Sequence, residues 1–180
     1  MTTLVIHPND RSTDFLKPIY ENIEGDVNVI TGGYYKDTVR AFIDQADRII
    51  LLGHGSFAGL FSVGQFEGCN GMIIDETMII SLGNKPNNMY IWCNADKFVN
   101  RSPLLKGFYS GMFISEYTEA LFCNTPTKVG DVEYSNDLFS DIVGKNTMLE
   151  AKQLCEVVKT RYYIPGNKVA EYNNQRLYFK

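Results

Sequence analysis

Apolar residues come along this chain in short unbroken runs separated by turn-forming residues. Residues 3–7, TLVIH, form the first run and stop at Pro8-Asn9-Asp10, a strand followed by a turn. Phe15, Ile19, Tyr20 and Ile23 then recur at helical spacing, with Pro18 tolerated near a first turn. VNVITGG, residues 27–33, reads as a second strand closed by two glycines, and Val39, Phe42, Ile43 and Ala46 mark one face of a second helix. IILL, residues 49–52, is the third strand.

The glycine-rich stretch 57–75 predicts a small inserted hairpin, and residues 76–82 a short helix. MYIWC, residues 89–93, reads as the fourth strand and GMFISE, residues 111–116, as the fifth. Thr147 and Glu150 form a capping-box pair ahead of Met148, Cys155, Val158 and Tyr162 on a C-terminal helix that Pro165-Gly166 ends. VAEYNNQRLYF, residues 169–179, supplies an edge strand. Strands alternating with helices, and strands apolar throughout rather than on one side, predict an α/β three-layer sandwich with a mostly parallel central sheet of about five or six strands. Without repeats, low-complexity tracts or a long linker, residues 1–180 read as a single domain.

Composition narrows the function classes. The hydrophobic share is 44% and the aromatic share 13%, values of a folded globule. The net charge is −4 with no cluster of Lys and Arg, so no nucleic-acid partner is expected. No apolar stretch reaches the roughly 20 residues of a membrane span, and no membrane partner is expected. The opening MTTLVIHPND lacks the basic n-region and apolar core of a secretory signal, so a cytoplasmic location is expected, with the four cysteines reduced. Those cysteines, Cys69, Cys93, Cys123 and Cys155, form no CxxC pair, and the two histidines are His7 and His54; no metal and no cofactor are called for. No signal for an oligomeric state is present.

The third strand ends in Gly53-His54-Gly55-Ser56, and the fourth in Cys93. In open parallel sheets functional groups gather at the carboxyl ends of strands. If the two strands are neighbours, His54 and Cys93 emerge at one rim. An imidazole there can take the proton of a thiol and leave the nucleophilic thiolate. The flanking glycines leave the ring accessible, and the Gly55 amide is open to a developing oxyanion. His7, before Pro8, reads as a turn histidine.

This arrangement resembles the caspase-like cysteine peptidases, the group of caspases, metacaspases, clostripain, gingipains, legumain, separase and CHAT-domain proteases. IILLGHG corresponds to their strand followed by His-Gly, and KPNNMYIWCNAD to their strand followed by the catalytic cysteine; GMFISEYTEA is similar to the strand whose end shapes the specificity pocket. The resemblance implies a caspase-like fold and a cysteine endopeptidase acting on a peptide or protein substrate. It makes His54 and Cys93 catalytic, and the Gly55 and Cys93 amides the oxyanion donors. Glu116, with Glu119 behind it, would suit an Arg or Lys side chain of the substrate. Arg11, beyond the first strand, stands where caspases use an arginine for acidic substrates, so both charge preferences stay open, with basic residues favoured. Asp96 either orients a side chain or caps the helix that follows Cys93.

The chain departs from the caspase signature around the nucleophile: Trp92 precedes Cys93 and Asn94-Ala95-Asp96 follows it. Bulk at Trp92 would narrow a peptide cleft. Two further readings therefore stand beside the peptidase: a catalytically inactive caspase-fold binding or regulatory protein, and a flavodoxin-like domain that binds a small anionic ligand at the strand ends.

Overall fold

The computed structural model describes residues 1–83 and 85–180. In chain order, β1 (Thr2–Ile6) leads through a 3-10 segment (Arg11–Leu16) and the one-turn α1 (Pro18–Glu21) to β2 (Asp26–Ile30), and α2 (Lys36–Gln45) leads to β3 (Arg48–Leu52). Three short strands follow, β4 (Gly55–Ser56), β5 (Gly59–Phe61) and β6 (Met72–Ile74), then a 3-10 turn (Glu76–Met78) and α3 (Ile79–Leu82). The second half holds β7 (Asn88–Ile91), α4 (Ala95–Val99), β8 (Gly107–Ser110), α5 (Tyr117–Phe122), α6 (Val129–Lys145), α7 (Ala151–Arg161), α8 (Lys168–Asn174) and β9 (Leu177–Phe179).

The central sheet has six strands in the order β2-β1-β3-β7-β8-β9, and β4, β5 and β6 form a separate three-stranded sheet. All pairings in the large sheet are parallel except β8 with β9. Strand residues alternate between two cores, as the pleat requires. Leu4, Ile6, Ile49, Leu51, Tyr90 and Trp92 pack with Val39 and Ile43 of α2, Met78, Leu82 of α3 and Phe98 of α4. Val5, Ile50, Leu52, Met89, Ile91 and Phe108 pack on the other side with Leu16, Ile19, Phe139 of α6 and Leu154 and Val158 of α7. Helices therefore cover both faces, which is why the middle strands are apolar without alternation.

The fifth strand is displaced from its expected place. The run Gly107–Ser110 pairs with β7, and residues 111–116 cross the end of the sheet as a loop. Their apolar character serves a different burial: Phe113 joins the α6/α7 core, and Ile114 a small cluster with Ala120, Val132 and Val169. The backbone of Ile114 finds partners without a neighbouring strand. Its N–H donates to Asn173 Oδ1 at 2.7 Å and its carbonyl accepts from Asn173 Nδ2 at 2.8 Å.

The edge strand expected over 169–179 is shorter, since α8 occupies Lys168–Asn174 and only Leu177–Phe179 pair with β8. The capping-box pair also separates. Glu150 is the N-cap of α7, whereas the Thr147 hydroxyl donates to the Gly144 carbonyl at the end of α6.

Candidate active site

β3 and β7 pair in parallel with Leu52 opposite Ile91, and the Gly53 amide continues the ladder by donating to the Ile91 carbonyl at 3.1 Å. Two residues beyond that register stand His54 and Cys93. Gly53 has φ +138°, a conformation that favours glycine, and the chain turns there out of the sheet. Gly55 then lies flat on the Trp92 indole: a Cβ at Gly55 would come within 2.2 Å of the ring. Trp92 is 2% exposed, belongs to the core on the α2 side of the sheet, and donates its indole N–H to the Ser56 carbonyl at 2.9 Å. Its indole supports the turn after His54, and Trp92 is also among the residues that wall the narrow cavity beside Cys93.

His54 and Cys93 line one cavity together with Thr13, Leu16, Phe113 and Ser115. Only about 20 Å³ of it admits a water molecule, room for about one. A broader groove of about 630 Å³ lies at the amino ends of the strands, lined by Asp44, Asp47, Arg48 and Lys85. There the Arg48 guanidinium donates to the carbonyls of Asn87 and Thr147, and Lys85 to that of Ala46. Those cations tie loops together, so chemistry rather than volume places the candidate site at the carboxyl ends.

The thiol and the imidazole each engage a different partner, and no hydrogen bond joins them. Cys93 Sγ lies 3.3 Å from the Phe113 carbonyl and 3.7 Å from Glu119 Oε1, both acceptors of the thiol proton. Burial first, and then the Glu119 carboxylate, push the Cys93 thiol up to about 12. Glu119 is itself fixed, its Oε2 accepting from the amides of Ser115 and Glu116 and from the Ser115 hydroxyl. His54 Nε2 is 2.6 Å from Ser12 Oγ and 4.0 Å from Asp10 Oδ2. Asp10 N-caps the 3-10 segment, accepting from the Ser12 amide at 3.0 Å and the Ser12 hydroxyl at 2.8 Å. These two bonds, with His54 charge as a lesser contribution, hold the Asp10 carboxyl below the usual carboxylate range.

The remaining expected residues scatter. Arg11 and Glu116 are exposed and do not line the cavity, although their chain neighbours Thr13 and Ser115 do. Asp96 lies in the first turn of α4, where Asn94 holds the N-cap position, and Asp96 Oδ1 is buried without a hydrogen-bond partner. His7 is 3% exposed, with Thr13 Oγ1 at 3.0 Å from Nε2 and Tyr20 Oη at 3.1 Å from Nδ1. All four cysteines are free thiols.

Ser12 and Asp10 escaped the sequence reading. An Asp-x-Ser turn after a strand is an N-cap signal, and β1 neighbours β3, so that turn had to lie at the rim of His54. Among the described residues no three His, Cys, Asp or Glu side chains gather as a metal site, and no helix is long and apolar enough to cross a membrane. No family model, curated protein or solved structure matches the chain.

Proposed function

We propose that this chain is a caspase-like cysteine hydrolase acting on a peptide or protein substrate, with Cys93 as nucleophile and His54 as proton acceptor and donor. The register of β3 and β7 carries the reading. It sets a histidine and a cysteine two residues past an aligned Leu52–Ile91 pair, on the walls of one cavity. In the reaction the Cys93 proton passes to the imidazole and the thiolate attacks the scissile carbonyl. The amides of Gly55 and Cys93 receive the oxyanion, the imidazolium protonates the leaving amine, and water releases the acyl group.

The described conformation is a resting one. With the thiol near 12, the thiolate fraction at neutral pH is on the order of 10⁻⁵. Productive binding therefore has to move the Phe113–Ser115 loop or the Arg11–Leu16 segment, both of which wall the cavity. Glu116 and Arg11 stand on those two segments with opposite charge, so the preference of the opened site reports which one borders it. The same buried thiol favours a second reading, a caspase-fold binding protein without turnover.

Fluorogenic peptides ending in Arg, Lys, Asp, Leu and Ala test the choice, with Cys93→Ala as the blank. Cleavage after Arg or Lys that needs Cys93 and His54 and weakens in Glu116→Gln supports the hydrolase. Cleavage after Asp moves the pocket role to Arg11. Absence of Cys93-dependent turnover on every peptide, with the protein folded and reduced, sinks the hydrolase and leaves the binding protein.

A further inference from the structure

We infer that Asp10 and Ser12 are positioning residues for His54, fixing its neutral ring with the proton on Nε2 and leaving Nδ1 as the nitrogen that accepts a proton; the assignment of Cys93 as the donor rests on the hydrolase reading. Ser12 Oγ makes two short contacts, 2.8 Å to Asp10 Oδ1 and 2.6 Å to His54 Nε2, and a hydroxyl has one hydrogen. Asp10 is an ionised carboxylate at neutral pH, so Oδ1 only accepts. If the hydroxyl pointed to Nε2, two oxygen acceptors would face each other at 2.8 Å with no hydrogen between them. Both contacts are satisfied in one arrangement: Nε2–H donates to Ser12 Oγ, and Ser12 Oγ–H donates to Asp10 Oδ1.

That arrangement has a chemical consequence. Nδ1 makes no hydrogen bond with the described residues and keeps its lone pair. When Cys93 ionises, the S–H bond breaks, an Nδ1–H bond forms, and thiolate and imidazolium result. The new positive charge meets the Asp10 carboxylate, 4.0 Å from Nε2, and the serine bridge to it is already in place. Ser12 Oγ therefore accepts from the imidazole instead of giving it a proton, the reverse of the direction in which a histidine activates a serine nucleophile.

Long-range ¹H–¹⁵N correlation of the ¹⁵N-labelled full chain, at about pH 8 where histidine is neutral, reads the tautomer directly. His54→Gln assigns the two rings. Wild type is expected to show His54 protonated on Nε2 and bare on Nδ1. Ser12→Ala should shift the ring towards the Nδ1–H tautomer, Ser12→Thr should restore it, and Asp10→Asn, which keeps an N-cap side chain, should give an intermediate spectrum. The His7 ring, bonded to Thr13 and Tyr20, is the internal control for folding. If its signals move in Ser12→Ala, Asp10→Asn and Ser12→Thr decide. A wild-type His54 protonated on Nδ1, or a tautomer unchanged in both Ser12→Ala and Asp10→Asn, overturns the assignment. Peptide turnover is read separately: its absence beside the expected tautomer ends the hydrolase reading and leaves the positioning role intact.

Discussion

His7 and His54 follow β1 and β3, adjacent parallel strands, and both rings reach the same 3-10 segment, at Thr13 and at Ser12. Thr13 spends its hydroxyl proton on the Asp10 carbonyl, so His7, like His54, donates from Nε2 to a hydroxyl oxygen. The difference is the second nitrogen. His7 Nδ1 accepts from Tyr20 Oη, whereas the His54 side chain is 25% exposed, makes no second hydrogen bond with the described residues, and lines the cavity shared with Cys93. A histidine with both nitrogens engaged is a strut. One held by a single nitrogen retains a lone pair for chemistry. Position after a strand does not separate the two, and the partner count does.

The largest effect that would break this contrast is pH-dependent. Burial, with Lys17 adding to it, lowers the His7 pKa from 6.5 to about 4. Between those values the unfolded chain binds more protons than the folded one, so stability rises with pH across that window. The contribution is complete above the unfolded value of 6.5, is lost as pH falls, and is gone below about 4. It amounts to about 3 kcal/mol. Urea midpoints from pH 4 to 7 should rise more steeply in wild type than in His7→Leu. Parallel slopes in the two proteins would show that His7 is not held neutral.

Next in size is the cost of removing each ring at neutral pH. His7→Leu leaves the Tyr20 hydroxyl without its acceptor and should cost about 2 kcal/mol. His54→Leu removes one bond at a partly exposed network and should cost less than about 1 kcal/mol. Equal losses in urea unfolding at unchanged slope would remove the distinction between strut and working residue.

How much of this could be read from the sequence follows the same line. IILL and MYIWC were legible as neighbouring strands because strands buried on both faces are apolar throughout, and the His54 turn because glycines bracket it. Helix α6 was not, since its packed side carries Ser135, Asn136 and Ser140, polar residues whose burial depends on distant partners. Ser135 meets the Tyr162 hydroxyl, and Asn136 donates to the Ser115 carbonyl. Residues 111–116 looked like a strand because burial makes a loop apolar too, and Asn173, which clamps it, lies 59 positions from Ile114. That Cys93 follows a strand is legible in the sequence; its environment is not, because Phe113 and Glu119 reach it only through that loop and the helix after it.

Glu119 meets Cys93 Sγ as Tyr20 meets His7 Nδ1, a partner that engages the atom otherwise free to react. The parallel is less complete, because burial acts on the Cys93 thiol more strongly than the carboxylate does. Replacing Glu119 with Gln removes the charge and keeps an amide oxygen to accept from the Ser115 and Glu116 amides, so the loop retains its fold. The Cys93 pKa should then fall, and alkylation of Cys93 by iodoacetamide at neutral pH should accelerate severalfold. Cys155, buried against β8 and β9 and remote from Glu119, is the control whose rate should stay constant. An unchanged Cys93 rate would assign the resting state to burial alone and leave Glu119 a capping residue of α5. A larger rise, with Cys155 also accelerated, would mean that the variant has loosened the core, and the comparison with Tyr20 would fail.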